Sequence, residues 1–129
     1  MASSIMNRII IEAVSQDAMR PPYDQGPAGD WLYDRDGTLV IRSTGTSFDD
    51  PETFLFALHE LVEAYLCRCE GVEQRVVDAF DKRIDGQIGE DDEHGDHPEA
   101  PYRTQHRRAM LIEMLMAQFL GLDGYGTIR

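Results

Sequence analysis

A histidine and two glutamates share one stretch of predicted helix, Ala57-Leu58-His59-Glu60-Leu61-Val62-Glu63-Ala64. Successive helical residues are about 100° apart, so His59 and Glu63, four positions apart, lie on one face and can reach the same metal ion. Glu60 is turned about 100° away from His59, where it can take a proton from a water molecule bound to that metal. The spacing is that of the His-Glu-x-x-His zinc helix, with a carboxylate in place of the second histidine.

A later stretch offers two more polar side chains at helical spacing. His106 and Glu113 are seven residues apart, which places them on one face about two turns, or ~10.5 Å, from each other. We therefore expect a site made of His59, Glu63 and His106, with Glu113 as a fourth ligand or as an acceptor behind a ligand. Mixed nitrogen and carboxylate ligands suit zinc first, and iron, manganese or nickel as alternatives.

Simpler interpretations compete with a metal site. Glu60 and Glu63 can be surface residues that pair with arginines, at a gain of only about 0–1 kcal/mol per pair. His106 stands among Arg103, Arg107 and Arg108 and can equally be exposed. The apolar surroundings of the first helix favour the metal, because a buried carboxylate needs a partner or an ion.

Four other polar residues are weaker candidates for this site. Asp78 and Asp81 can hydrogen-bond ligand histidines, although a cap or a salt bridge is the simpler use. His94 and His97 lie in an acidic stretch, residues 85–99, which has seven acidic residues and no lysine or arginine. That composition predicts an exposed loop with solvated histidines.

The first third of the chain carries the signals for strands. Asn7–Val14 is rich in β-branched residues and predicts a buried strand. The stretch 15–29 is rich in proline and glycine and predicts a loop. Residues 30–34 and 38–42 flank Asp36-Gly37, a strong hairpin signal. A three-stranded antiparallel sheet, with its hairpin at 30–42, is the arrangement we expect.

Three helices are predicted after the sheet. Asp50 followed by Pro51 indicates an N-cap and a first helical residue, and the helix should run from Pro51 to Cys69 and end at Gly71. The second should span 73–84 and the third about 100–120. The expected core positions on these helices are Phe54, Leu55, Leu58, Leu61, Val62, Tyr65, Leu66, Val76, Val77, Phe80, Ile84, Tyr102, Ala109, Met116 and Leu120.

Length and composition indicate one globular α+β domain covering residues 1–129, with 42% hydrophobic residues. The net charge of −12 argues against nucleic-acid binding, and no apolar run approaches the ~20 residues that a membrane span needs. Cys67 and Cys69 point apart on a helix, which predicts free thiols and a cytoplasmic location. The methionine-rich last helix forms either a core stripe or a homodimer surface.

The chain also resembles known sequences. The ordered motifs Gly29-Asp30-Trp31, Leu58–Ala64, Val77–Asp81, Gly95-Asp96-His97-Pro98 and Ala100–Arg103 with His106 look like a family of small proteins encoded in bacteriophages, prophages and bacterial genomes. More distantly, the His59-Glu60-x-x-Glu63 helix is similar to the active helix of zincin-type metallopeptidases. That likeness implies a minimal zincin-like core, with His59 and Glu63 as metal ligands and Glu60 as general base.

Two functions from different classes follow as hypotheses. The first is a zincin-like metal-dependent hydrolase in the bacterial host cytoplasm, acting on a peptide or protein. The second is a non-enzymatic phage accessory or structural protein, in which a metal or the polar cluster only ties the helices together. A third alternative is an acidic protein that binds a basic partner through residues 85–99.

Overall fold

The computed structural model describes residues 5–19, 28–85, 87, 93–122 and 124–125. Parts of the two predicted loops, residues 20–27 and residues 86 and 88–92, lie outside the described residues. The described elements are a three-stranded sheet and three long helices, as expected for an α+β fold.

The sheet has the strand order β1-β3-β2, with β1 at Ile9–Val14, β2 at Gly29–Tyr33 and β3 at Leu39–Thr44. The predicted hairpin is confirmed, because β2 and β3 pair antiparallel and Gly37 takes a positive φ of 81° in the turn. β1 pairs with β3 in the parallel direction. The sheet is therefore mixed, and the expected antiparallel pairing is wrong for β1. An apolar run predicts a strand but not its direction, which depends on how the chain crosses to the other side of β3.

The first strand is also less buried than its sequence predicts. β1 is an edge strand, and Ile9 and Ile11 are each 43% exposed. The stretch predicted as a loop begins with a short helix, α1, at Gln16–Met19. Its last residue, Met19, is fully buried, so a single large apolar side chain anchors this turn to the rest of the fold.

The longest helix, α2, runs from Pro51 to Cys69, as predicted. The Asp50 side chain accepts a hydrogen bond from the backbone N–H of Glu52 at 3.0 Å, which satisfies a donor that the first turn leaves unpaired. Gly71 follows the helix with a φ of 77°, a conformation that glycine adopts at little cost.

The other helical segments lie close to their predicted positions. α3 spans Gln74–Ile84 and α4 spans Arg103–Phe119, with a 3₁₀ helix at His94–Asp96 between them. The last predicted helix begins three residues later than expected, because backbone hydrogen bonds of residues 97–103 form successive turns first. None of the described helices is long and apolar enough to cross a membrane.

One hydrophobic cluster joins the sheet, α2, α3 and the start of α4. Phe54, Tyr65 and Val76 do not belong to it, because they are 41%, 52% and 37% exposed, contrary to prediction. The helical apolar positions cover a wider arc than the neighbouring elements can bury. The buried members of the hydrophobic cluster are Trp31, Leu39, Ile41, Ala57, Ala64, Cys67, Val77, Phe80, Ile84, Ala100 and Tyr102.

α4 packs along α2 through a stripe that alternates small and polar residues. Ala109 and Ala117 are almost completely buried, and their small side chains allow the two helices to approach closely. His106 and Glu113 occupy the same buried stripe. The opposite side of α4 is apolar and exposed, with Leu111 and Phe119 67% and 73% accessible, and Leu120 does not join the predicted stripe.

Candidate metal centre

His59 and Glu63 both face the interior between α2 and α4. They are 2% and 4% exposed, and Nε2 of His59 lies 3.5 Å from Oε1 of Glu63. The i, i+4 spacing places them on one helical face, as the sequence indicates. A buried imidazole and a buried carboxylate at this distance need either a shared proton or a cation between them.

His106 of α4 brings a third ligand atom to the same point. Its Nδ1 lies 2.9 Å from Oε1 of Glu63 and 3.1 Å from Nε2 of His59. We call these three atoms the ligand triangle. In a four-coordinate zinc site with bonds of about 2.0–2.2 Å, neighbouring ligand atoms are about 3.3–3.6 Å apart, so a small outward movement of the side chains would open the triangle enough for an ion.

Glu113 lies behind His59 rather than in the triangle. Nδ1 of His59 is 2.8 Å from Oε1 of Glu113, which is fully buried, and the hydroxyl of Tyr125 donates a hydrogen bond to Oε2. If Nδ1 carries the proton, then Nε2 of His59 presents its lone pair to the triangle. Of the two roles that the sequence allows for Glu113, this geometry fits the acceptor behind a ligand.

The second carboxylate oxygen of Glu63 contacts a residue of the sheet, Trp31. The indole N–H of Trp31 donates a hydrogen bond to Oε2 at 2.9 Å. Trp31 is 6% exposed and lies opposite Ile41 in the sheet register. The sequence places Trp31 only on a strand, and its partner could not be found from spacing because 32 residues separate the two.

Glu93 is a candidate ligand that sequence reasoning missed. His59, Glu93 and His106 each offer an atom, and these three atoms lie within 4.8 Å of one another, close enough to hold a metal ion. Nε2 of His106 is buried and has no hydrogen-bond partner among the described residues. Oxygens of Asp96 and Glu93 lie 3.5 and 3.8 Å from it. Proximity to the Gly95–Pro98 motif is the only sequence signal that points to Glu93.

The two sets of potential ligands share both histidines and differ in the carboxylate. Glu63 is already within hydrogen-bond distance of Nδ1 of His106, whereas the set with Glu93 is wider. Either carboxylate could complete a set of potential ligands with the two histidines. The unpartnered Nε2 of His106, beside the carboxylates of Asp96 and Glu93, points away from Nδ1, so an ion bound there would be distinct from one in the ligand triangle.

Glu60 lies beside the ligand triangle on the sheet side of α2. It is half-buried, and its carboxylate forms no hydrogen bond with any residue in the described part of the chain. Gly29 makes room for it, since a Cβ at position 29 would lie 2.8 Å from Cγ of Glu60 and 3.0 Å from the carbonyl oxygen of Arg42. A side chain at position 29 would therefore displace Glu60.

Burial and charge act differently on the two glutamates of α2. Burial, together with repulsion from Glu63, raises the pKa of Glu60 well above its ordinary value. Burial acts in the same direction on Glu63, but hydrogen bonds with His106 and His59 outweigh it and hold the pKa of Glu63 at about 2. Glu63 is thus the ionised carboxylate, and Glu60 is the more basic of the two.

The pKa of His59 is raised despite its burial. Burial alone lowers this pKa. The hydrogen bond with Glu63 and the negative charges of Glu60, Glu63 and Glu93 raise it by more than burial lowers it. Without a metal, His59 therefore tends to hold a positive charge among carboxylates. A divalent cation would supply that charge in place of the proton.

Gly95 allows the 3₁₀ helix to pack directly against the His106 ring. A Cβ at position 95 would lie 2.3 Å from Cγ and 2.5 Å from Nδ1 of His106. Only a glycine allows this close approach, which covers the His106 ring and brings Glu93 and Asp96 to its edge. The ring of Tyr102 lies edge-on to His106 on another side, with centroids 6.4 Å apart.

The weaker candidates do not join the ligand triangle. Asp81 accepts a hydrogen bond from the Tyr102 hydroxyl, and Asp78 accepts one from Gln74 at 3.1 Å. His94 lies 3.2 Å from Asp85, and Nδ1 of His97 accepts the backbone N–H of Glu99 at 3.0 Å. Each of these side chains stabilises a loop or a helix contact.

Both cysteines are free thiols, as predicted. Cys67 is buried in the hydrophobic cluster, and burial raises the pKa of its thiol to about 12, so it is not a nucleophile. Cys69 is exposed. Neither belongs to the candidate metal centre.

No protein-family model, curated protein or solved structure matches the chain. The resemblances to phage-encoded proteins and to zincin-type metallopeptidases remain predictions.

Proposed function

We propose that this protein binds one divalent metal ion and hydrolyses amide bonds of a peptide or protein. His59, Glu63 and His106 would hold the ion, and Glu93 is within reach as a further ligand. The ligand triangle is the observation that carries the proposal, because three buried ligand atoms from two helices lie 2.9–3.5 Å apart. We expect zinc, with iron, manganese or nickel as alternatives for this mixture of imidazole and carboxylate.

The metal's chemical contribution would be to lower the pKa of a bound water molecule and to polarise the carbonyl group of the substrate. Glu60 would act as the general base that takes a proton from the attacking water and would return it to the departing amine. Burial and the charge of Glu63 raise the pKa of Glu60, which makes it a stronger base than an ordinary glutamate. Glu113 and Tyr125 would keep His59 oriented, through the hydrogen bond to Nδ1.

One observation favours a second, non-catalytic function. Most polar atoms of the cluster already satisfy one another, through the His59–Glu113, His106–Glu63 and Trp31–Glu63 hydrogen bonds. Such a network can tie α4 and the sheet to α2 without any ion, as in an accessory or structural protein. Free thiols at Cys67 and Cys69 are consistent with the bacterial cytoplasm for either function.

Metal analysis separates the two proposals. Purified wild-type protein, reconstituted in turn with zinc, iron, manganese and nickel, should hold about one ion per chain by elemental analysis. His59→Ala, Glu63→Ala and His106→Ala should lose it while circular dichroism shows that they remain folded. Glu52→Gln, an exposed glutamate in the first turn of α2, is the matched control and should retain the metal.

Activity is tested with Glu60→Gln and a mixture of quenched fluorescent peptides. We expect this variant to keep its metal and to lose about 10²–10⁴-fold in the rate of hydrolysis, as for removal of a general base. Failure of the wild type to bind any of the four metals would overturn the metalloenzyme proposal and favour the structural network. Metal binding without hydrolysis of any peptide would overturn the substrate class alone.

A further inference from the structure

We infer that Trp31 is a positioning residue that keeps Glu63 bound to the metal through one oxygen only. This inference rests on the proposed metal site and assigns a role to a residue of the sheet. It concerns the feature that separates a catalytic metal site from a closed one, namely a coordination position left free for water or substrate.

The two carboxylate oxygens of Glu63 have different neighbours. A carboxylate with two free oxygens can bind one ion through either or both of them. Oε1 of Glu63 faces His59 and His106, whereas Oε2 is occupied by the indole N–H of Trp31 at 2.9 Å. Binding through both oxygens would require Oε2 to leave the indole, and the buried N–H would then lose its hydrogen-bond partner, which is unfavourable.

The packing around Trp31 holds its side chain in place. Its indole is 6% exposed and belongs to the hydrophobic cluster, and its ring lies edge-on to Tyr33 with centroids 6.2 Å apart. Its backbone is paired with Ile41 of the central strand. Trp31 therefore cannot follow Glu63 if the carboxylate turns, so the hydrogen bond restricts the glutamate rather than the reverse.

A purely structural interpretation assigns this hydrogen bond only to the stability of the sheet–helix contact. The two interpretations differ in what happens to the metal when the N–H is removed. If Trp31 positions Glu63, then the carboxylate becomes free to bind through both oxygens and the coordination number rises. If Trp31 is only structural, the metal keeps the same surroundings and only the free energy of unfolding changes.

Trp31 is the only tryptophan in the chain, so a tryptophan analogue supplied during expression replaces this side chain alone. β-(3-Benzothienyl)alanine has sulfur in place of the indole N–H and nearly the same shape. Cobalt(II) is the probe, because its visible absorption per bound ion falls as the coordination number rises from four. We expect the analogue protein to bind as much cobalt as the wild type, with clearly weaker visible absorption per ion.

Tyr33→Phe is the matched control. Tyr33 lies on the same face of β2 and touches Trp31, and its buried hydroxyl has no hydrogen-bond partner among the described residues. This variant should leave the cobalt spectrum unchanged. Identical spectra for the analogue protein and the wild type would overturn the role of Trp31 and leave the metal site standing, whereas no cobalt binding by the wild type would overturn both.

A second measurement needs no altered side chain. In ¹⁵N-labelled wild-type protein, the indole N–H signal of Trp31 is a single resonance that reports on Oε2 of Glu63. Zinc binding through Oε1 alone should shift this resonance and leave the N–H protected from exchange with solvent. Loss of that protection on zinc binding would mean that Oε2 has left the indole, and it would overturn the inference even if the analogue protein fails to fold.

Discussion

Nδ1 of His59 and Oε1 of Glu113 lie 2.8 Å apart in the contact between α2 and α4, and both side chains are almost completely buried. With Nδ1 directed at this carboxylate, Nε2 of His59 faces the site, 3.5 Å from Oε1 of Glu63 and 3.1 Å from Nδ1 of His106. One hydrogen bond therefore both joins α2 to α4 and orients a histidine of the candidate metal centre.

Replacing Glu113 with glutamine should weaken metal binding without abolishing it. The amide oxygen can still accept from Nδ1 of His59, but it lacks the charge that makes the imidazole a better ligand. We expect a loss of affinity of about 10-fold or more, measured by competition with a chelating dye. Glu99→Gln, at an exposed glutamate, serves as the control. If the cobalt spectrum of Glu113→Gln instead showed one protein ligand fewer than that of the wild type, Glu113 would be a direct ligand.

Alanine at position 95 should damage the metal site, because its Cβ would overlap the His106 ring. The ring or the 3₁₀ helix must move, and we expect metal affinity to fall by about 10-fold or more. Gly71→Ala is the comparison, since position 71 has open space but a φ of 77°. It should cost about 1 kcal/mol of stability and leave metal affinity unchanged. Equal metal affinities in the two variants would contradict the packing argument.

Asp81 should make the metal-free protein less stable as the pH rises. Burial raises its pKa from 3.8 to about 7, although the Tyr102 hydroxyl acts in the opposite direction. Between these two pH values the folded state binds more protons than the unfolded state, so stability falls as the pH increases from about 4 to about 7.

The variant Asp81→Asn tests this linkage, since it keeps an acceptor for Tyr102 and removes the titrating group. Its stability relative to wild type should increase between pH 5 and pH 8 by roughly 1–3 kcal/mol, measured by urea unfolding in the presence of a chelator. Asp49→Asn is the exposed control. A constant difference between Asp81→Asn and wild type across this range would refute the assignment.

Two leucines of different helices should respond very differently to truncation. Leu55 of α2 is completely buried, so Leu55→Ala should cost about 2–5 kcal/mol of unfolding free energy. Leu115 of α4 is 48% exposed, and Leu115→Ala should cost less than about 1 kcal/mol. Urea unfolding of both variants checks this contrast. A large, concentration-dependent loss for Leu115→Ala would indicate that a second chain covers this face.

Local sequence signals predicted the helices and one face of the site. Asp50 with Pro51 and the glycine at position 71 defined α2, since capping and positive φ depend on the nearest residues only. The 100° turn per residue placed His59 beside Glu63 and Glu60 beside both. Asp36-Gly37 predicted the hairpin for the same reason, because its geometry is decided within a few residues.

Contacts between distant residues could not be obtained in this way. The parallel direction of β1, the meeting of His106 with His59, and the hydrogen bond from Trp31 to Glu63 all depend on how separate elements pack. Periodicity identifies the inward face of α4 but not which residue of α2 each side chain meets. Local residue patterns were enough to predict the helices, the hairpin and the chemical groups at the site. Distances, partners and protonation required the folded chain, because they arise from packing between elements that are far apart in the sequence.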